Sequence, residues 1–280
     1  MTAPQFTGTP SYVLDEELAR IVNVSIRLEL PLLLKGEPGT GKTLLALAIA
    51  ENLGLPLITL NVKSSMKAVD ALYHYDTLTR LNDSRFGDSK RNVANIEDYI
   101  RMGKIGQAFV AEQRSVLLID EIDKAETEFQ DDLLDVLDQM SFDIIEIDRT
   151  VTARHRPIVI ITSNAKKDLS DPFLGRCIFH YIAFPKPDMM KNIVRAHYPD
   201  LADRVAETFI MAFYRMREVA GIEKKPATRE LLHWIRALLS EPGFEASQLS
   251  ADKRIPLLGI LFKKTEDLQR ARSVLNQRAS

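Results

Sequence analysis

Apolar runs alternate with helix-like segments over the first two thirds of the chain. Short apolar runs bounded by turn residues predict five strands. They lie at residues 32–34, 55–62, 115–120, 157–164 and 178–184. Apolar residues in the intervening segments recur at three- and four-residue intervals, as in residues 43–53. Gly54 follows that segment directly and ends the predicted helix. Apolar strands separated by helices predict an α/β fold whose mostly parallel sheet is covered on both faces.

The pattern changes after residues 185–188, "PKPD". From there the apolar residues follow helical spacing alone, in residues 188–198, 203–219, 228–239 and 264–275. We therefore predict two domains, an α/β domain at 1–186 and an all-helical domain at 187–280.

Two segments fit neither pattern. Residues 75–95 are polar and rich in turn formers, and lie between the second strand and a predicted helix at 96–112. Residues 142–156 alternate apolar and polar side chains, which predicts a hairpin before the fourth strand, with a charged tip at Asp148–Thr150. The alternative for both segments is a solvated loop without a task.

The segment "GEPGTGKT" (36–43) follows the first predicted strand and opens the first helix after it, as the pattern G-x-x-x-x-G-K-[ST] requires for binding phosphate. Its glycines let backbone N–H groups point at phosphate oxygens. Lys42 would reach the β- and γ-phosphates, and Thr43 would offer a hydroxyl to Mg²⁺. The alternative is a chance match in a glycine-rich turn. The predicted nucleotide-binding residues here are Gly36, Glu37, Pro38, Gly39, Thr40, Gly41, Lys42, Thr43 and Leu44.

Two adjacent carboxylates, Asp120 and Glu121, end the third strand in "VLLIDEID". Packing gives no reason for a buried strand to end in this way. We predict that Asp120 contributes to nucleotide binding and, with Thr43, holds Mg²⁺, while Glu121 polarises the attacking water as general base. The alternative is a solvated strand end followed by a helix N-cap at Asp123.

Composition limits the choice of function. The 280 residues carry 37 basic and 39 acidic side chains, a net charge of −2, which argues against a strongly basic nucleic-acid-binding surface and leaves a local basic patch as an alternative. A single cysteine fits a reducing compartment, and we find neither a secretory signal nor an apolar run long enough to span a bilayer. We predict a cytoplasmic protein, with peripheral membrane association through partners as a further possibility.

Together, these motifs resemble those of the AAA+ ATPases, specifically the MoxR family, over nearly the whole chain. "GEPGTGKT" resembles the Walker A loop and "LLIDEID" Walker B. "IITSN" resembles sensor 1 with Asn164, "DPFLGRC" the arginine-finger segment with Arg176, and "KPATRELLHW" the sensor 2 helix with Arg229. The resemblance implies ATP and Mg²⁺ as cofactors and catalytic roles for Glu121, Asn164, Arg176 and Arg229. Local sequence alone leaves Asn164 open as a turn residue and Arg176 as a surface ion pair.

The chain departs from the family pattern at two places. Family members commonly carry consecutive arginines where this chain has Gly175–Arg176, which leaves Arg176 as the sole finger candidate in that segment. Many carry Asn-Arg where this chain has Asp123–Lys124. We expect Lys124 to retain the positive charge.

The resemblance also implies an architecture and partners. The expected fold is an AAA+ P-loop NTPase with a five-stranded parallel sheet, a helix-2 insert at 75–95, a pre-sensor-1 hairpin at 142–156 and a C-terminal all-α lid. The finger would act on a neighbour's nucleotide in a homo-oligomeric, usually hexameric, ring. Tyr12 and Val13 would contact the adenine. The implied partners are a protein with a von Willebrand factor A domain and a metalloenzyme client.

We therefore expect an ATP-driven chaperone that remodels or matures a client. The insert sequence is similar to that of the subgroup assisting maturation of the carbon monoxide dehydrogenase active site. Two alternatives stay open: an ATP-binding scaffold without productive turnover, against which the intact Glu121 argues, and a nucleic-acid motor.

Overall fold

The computed structural model describes residues 5–10, 12–87, 91–164, 167–249 and 255–279. The chain divides into two compact units. The first comprises Met1–Thr9, Leu14–Gly36 and Lys42–Ile182, and the second Pro10–Val13, Glu37–Gly41 and Ala183–Ser280.

The strands are β1 (Leu32–Gly36), β2 (Leu57–Asn61), β3 (Tyr73–Tyr75), β4 (Ile100–Met102), β5 (Val116–Asp120), β6 (Ser141–Ile144), β7 (Arg149–Thr152), β8 (Ile158–Ser163) and β9 (Ile178–Ile182). The helices of the first unit are α1 (Glu16–Leu28), α2 (Lys42–Leu53), α3 (Ala68–Leu72), α4 (Thr77–Phe86), α5 (Lys104–Val110), α6 (Thr127–Gln139) and α7 (Asp171–Gly175). Those of the second are α8 (Pro187–His197), α9 (Asp203–Arg217), α10 (Thr228–Leu239), α11 (Leu258–Leu261) and α12 (Thr265–Ala279).

Five strands form one parallel sheet in the order β2-β5-β8-β1-β9, which confirms the predicted α/β fold. Its central strands are apolar on both faces: Leu32, Leu33, Leu34 and Leu117 have essentially no exposed surface. Parallel strands require this pattern because helices cover both faces of their sheet.

The register of the sheet places the predicted nucleotide-binding and catalytic residues of β1, β5 and β8 at one edge. Lys35 pairs with Ser163, and Ile119 pairs with Ile161. The residues just beyond the carboxyl ends of β1, β5 and β8 therefore meet at this edge, where parallel sheets of this kind bind ligands.

The polar segment 75–95 contains a helix that sequence analysis did not predict. Asp76 caps α4 by accepting a hydrogen bond from the Thr79 N–H at 3.1 Å. None of the residues of α4 is buried, and Leu78 and Phe86 are about three-quarters exposed. Residues 88–90 lie outside the described part of the chain. α4 is thus an exposed helix with a local cap and no fully buried face.

The helix predicted at 96–112 is wrong over its first half. A 3₁₀ turn at Ile96–Tyr99 leads into β4, which pairs antiparallel with β3, and only α5 is helical. Gly103 explains the break, because a Cβ atom there would lie 2.4 Å from the carbonyl oxygen of Ala71. Close packing against the end of α3 outweighs the local helical pattern.

The predicted hairpin is present, formed by β6 and β7. Its turn lies at residues 145–148, not at Asp148–Thr150. Thr150 belongs to β7 and donates a hydrogen bond to Asp143 Oδ1 at 2.6 Å. The tip is also less polar than predicted, since Ile145 is 82% exposed.

The second unit has its own core. Phe209 and Phe213 on α9 and Trp234 on α10 are fully buried. Phe209 meets Trp234 edge to face, with ring centroids 5.5 Å apart. The described residues of 183–280 form no strand, as the helical spacing predicts.

Candidate nucleotide site

The phosphate loop follows β1 directly and leads into α2. Gly39 and Gly41 have φ of +79° and +92°, a region that L side chains rarely adopt. Thr40 Oγ1 donates to the Glu37 carbonyl at 2.9 Å and steadies the turn. Pro38 is exposed, as are Thr43 and Leu44 on the first turn of α2. The loop thus has the backbone that the sequence pattern predicts.

Lys42, the first residue of α2, is buried at 6% exposure. Its ammonium donates a hydrogen bond to the carbonyl oxygen of Gly36 at 2.7 Å. The side chain therefore curls back over the start of the loop, where its charge adds to the positive end of the helix dipole.

Asp120, at the end of β5, joins two hydroxyl groups from different elements. Thr43 Oγ1 donates to Asp120 Oδ1 at 3.1 Å and lies 3.3 Å from Oδ2. Thr162 Oγ1, on β8, donates to Oδ1 at 2.6 Å. Thr162 is fully buried and was missed by sequence reasoning. Its only signal is a polar side chain that directly follows the apolar run of β8.

Glu121 has φ +61° and ψ +51°, a left-handed conformation that costs a residue with a side chain about 1–2 kcal/mol. Its N–H donates to Thr162 Oγ1 at 2.9 Å. Its Oε1 accepts a hydrogen bond from Asn164 Nδ2 at 2.8 Å, and its Oε2 forms an ion pair with Lys124. Backbone and side chain are thus both held by neighbours on the same sheet edge.

Asp123 is not the helix N-cap that sequence analysis suggested. It lies within a 3₁₀ turn, and α6 begins only at Thr127. Its carboxylate is buried and accepts a hydrogen bond from the Asn164 N–H at 3.2 Å. Asp123 therefore helps to place Asn164 next to Glu121.

Arg176 follows α7 and has its hydrogen-bond partners outside this network. Its Nε donates to Asp138 Oδ2 on α6 at 2.5 Å, and its Nη1 donates to the Pro172 carbonyl at 3.3 Å. The Arg176 side chain is 42% exposed. Within one chain, Arg176 is thus in a surface ion pair, the alternative that sequence analysis left open.

The second unit contains the remaining predicted residues. Tyr12 lies against the phosphate loop, because a Cβ atom on Gly41 would be 3.4 Å from its Cε2, and burial raises the pKa of the Tyr12 hydroxyl. Val13 is half-buried. A Cβ atom on Gly39 would lie 2.5 Å from Ala227 Cβ, which places the N-terminus of α10 at the loop. Arg229 is exposed on the first turn of that helix.

Residues 32–184, just over half of the chain, match the family described as "ATPase family associated with various cellular activities (AAA)". The chain belongs to the AAA family of ATPases. Its structure is similar to that of a mutant RuvB from Thermotoga maritima, with a TM-score of 0.53 and 17% identity over 96% of this chain and 73% of that chain. At this identity the likeness shows the AAA+ fold alone. No curated protein matches the sequence.

The described residues fit the MgATP that family membership implies. The Thr43 hydroxyl and the Asp120 carboxylate converge, and oxygen ligands suit Mg²⁺. In the described ranges, no group of three or more His, Cys, Asp or Glu side chains could hold a metal by itself. Such a pair would hold Mg²⁺ only together with phosphate oxygens and water.

The described helices are also too short or too polar to span a membrane.

Proposed function

We propose that this chain hydrolyses ATP with Mg²⁺ to drive the remodelling or maturation of a client protein, as a MoxR-type AAA+ chaperone. One observation carries the proposal of turnover: a continuous hydrogen-bond network joins Thr43, Asp120, Thr162, Glu121 and Asn164. A protein that only binds nucleotide needs the phosphate loop but has no use for a fixed carboxylate beside a neutral amide.

Residues of the network and of the phosphate loop then have separate tasks. Lys42 and the loop N–H groups bind phosphate oxygens, and Thr43 and Asp120 hold Mg²⁺. Bound Mg²⁺ neutralises charge on the phosphates. Glu121 accepts a proton from the attacking water, which Asn164 orients without adding negative charge. Tyr12 and Val13 contact the adenine, and Arg229 is the sensor arginine. We propose that residues 1–186 form the nucleotide-binding domain and 187–280 the lid.

Arg176 serves the site of a neighbouring subunit in a ring, most simply a hexamer. A guanidinium donates several hydrogen bonds in a plane, which suits the spread charge of phosphoryl transfer. Its single-chain partner Asp138 is a surface residue, so exchange for a phosphate of the neighbour costs little.

A protein client is favoured by the exposed apolar side chains of the two inserts. Leu78 and Phe86 on α4 and Ile145 at the hairpin tip are each at least three-quarters exposed. Exposed apolar side chains of this kind suit contact with a protein. We propose a partner with a von Willebrand factor A domain and a metalloenzyme client, of the type represented by carbon monoxide dehydrogenase.

The test is phosphate release by the purified protein, measured alone and with a partner protein, a metalloenzyme and DNA in turn. Stimulation by partner or client supports the chaperone. Binding of ATP without release of phosphate under all four conditions would favour a scaffold. Stimulation by DNA alone would favour a nucleic-acid motor.

A further inference from the structure

Lys124 is a charged side chain of the acidic segment 120–124 to which the proposed function gives no task. It forms an ion pair with Glu121 Oε2, while Asn164 Nδ2 donates to Oε1 at 2.8 Å. Two donors from two different elements thus approach the two oxygens of one carboxylate. The hydrogen bond from Lys124 to Glu121, and then the charge of that carboxylate, raise the pKa of the Lys124 ammonium.

The ion pair between Lys124 and Glu121 contributes little to the stability of the fold. The side chains of Lys124 and Glu121 are 44% and 35% exposed, and ion pairs at such positions are screened by water. The backbone of Glu121 is meanwhile held in its left-handed conformation by Thr162. The backbone and Oε1 of Glu121 are thus positioned without Lys124. What the Lys124 ammonium adds is a restraint on the rotation of the carboxylate plane.

We propose that Lys124 is a positioning residue for hydrolysis: with Asn164, it fixes the plane of the Glu121 carboxylate. This inference rests on the proposed ATPase function and adds a residue to it. A carboxylate held at one oxygen alone rotates about its last torsion, which is broad for Glu. A second donor on the other oxygen removes that freedom and keeps one lone pair directed at the attacking water. In this role Lys124 acts on hydrolysis through Glu121.

The test compares Lys124→Met, which keeps the length of the side chain but not its charge, with Lys124→Arg, which keeps the charge. Lys124→Met should lower kcat by about 10- to 100-fold, the range expected for a small misplacement of a reacting group. Lys124→Arg should recover most of the loss. The affinity for ATP, measured by calorimetry, should be unchanged in both variants, because Glu121 does not bind phosphate.

Two controls separate positioning from a structural effect. Lys167→Met breaks the exposed ion pair with Glu126, of 2.9 Å, and should leave kcat unchanged. Both Met variants should change the unfolding temperature of the nucleotide-free protein by similarly small amounts.

Several outcomes overturn the inference. These are an unchanged or raised kcat in Lys124→Met, a loss of ATP affinity in Lys124→Met, and a loss of kcat in Lys124→Met that Lys124→Arg does not recover. An intact chain that binds ATP but never releases phosphate would instead refute the proposed function, and this inference with it. The first three results, with an active intact chain, refute the role of Lys124 alone.

Discussion

Arg217 and Glu37 form an ion pair in which Nη2 lies 3.0 Å from Oε2, although 180 positions separate the two residues. Arg217 lies near the end of α9, and Glu37 is the second residue of the phosphate loop. The Arg217 side chain is only 9% exposed, donates to the Pro226 carbonyl at 2.5 Å and lies over the ring of Phe184. A buried guanidinium therefore anchors the loop segment 37–41 within the second unit.

Replacing Arg217 by Met should destabilise the second unit and weaken ATP binding. The apolar stem of the side chain remains, but the buried Pro226 carbonyl loses this donor, at a cost of about 1–3 kcal/mol. The loop segment also loses an anchor. Denaturant unfolding and calorimetry with ATP measure the two effects. Arg204→Met, at an exposed position of the same helix, is the matched control. Equal behaviour of the two variants would show that the anchor has no effect.

The phosphate loop and the acidic pair should be separable by mutation. Lys42→Ala should abolish ATP binding, because the buried ammonium supplies the full positive charge of the loop. Glu121→Gln should keep binding and remove hydrolysis, because an amide cannot accept the proton. Calorimetry and phosphate release test both variants. Normal turnover in Glu121→Gln would assign the base to another group.

Arg176→Ala should bind ATP nearly normally and hydrolyse it about 10³-fold more slowly, because the role proposed for its guanidinium is at the neighbouring site. Asp138→Asn removes only the resting partner of Arg176 and should leave turnover close to normal. Both are measured as phosphate release by the assembled protein.

Mixing experiments test action between subunits. Rings that combine Arg176→Ala with Lys42→Ala should recover activity, because some sites then pair an intact loop with an intact finger. Failure to recover, with mixed assembly verified by sedimentation, would contradict action in trans.

The hairpin tip should be needed for partner binding and dispensable for hydrolysis. Ile144 and Arg149 face each other across β6 and β7, so an Asn-Gly pair in place of residues 145–148 should close a two-residue type I′ turn. Ile145→Ser removes the exposed apolar side chain and keeps the original turn. Basal turnover should persist in both variants, while binding to a partner with a von Willebrand factor A domain falls. Loss of turnover with unchanged partner binding would place the hairpin in the catalytic apparatus.

Much of the fold follows from local pattern. Five apolar runs between helical segments predict the parallel sheet, because strands buried on both faces can tolerate few polar residues. The glycines, lysine and threonine of 36–43 predict a phosphate loop, since its backbone conformation and charges are specified within eight consecutive residues. Asp120, Glu121 and Asn164 are predictable as a group because each directly follows or ends a strand of that sheet.

Only the tertiary structure determines which hydrogen bonds and ion pairs orient the residues of the candidate site. Thr162 bridges Asp120 and Glu121 only because β5 and β8 are neighbours, an adjacency that no local spacing contains. The same is true of Arg217, whose partner lies 180 positions away. The predicted helix at 96–112 fails because Gly103 packs against a carbonyl of α3, a contact between segments more than thirty residues apart. Local sequence specifies backbone preference and chemical type, whereas contacts between distant segments set the orientation of each side chain.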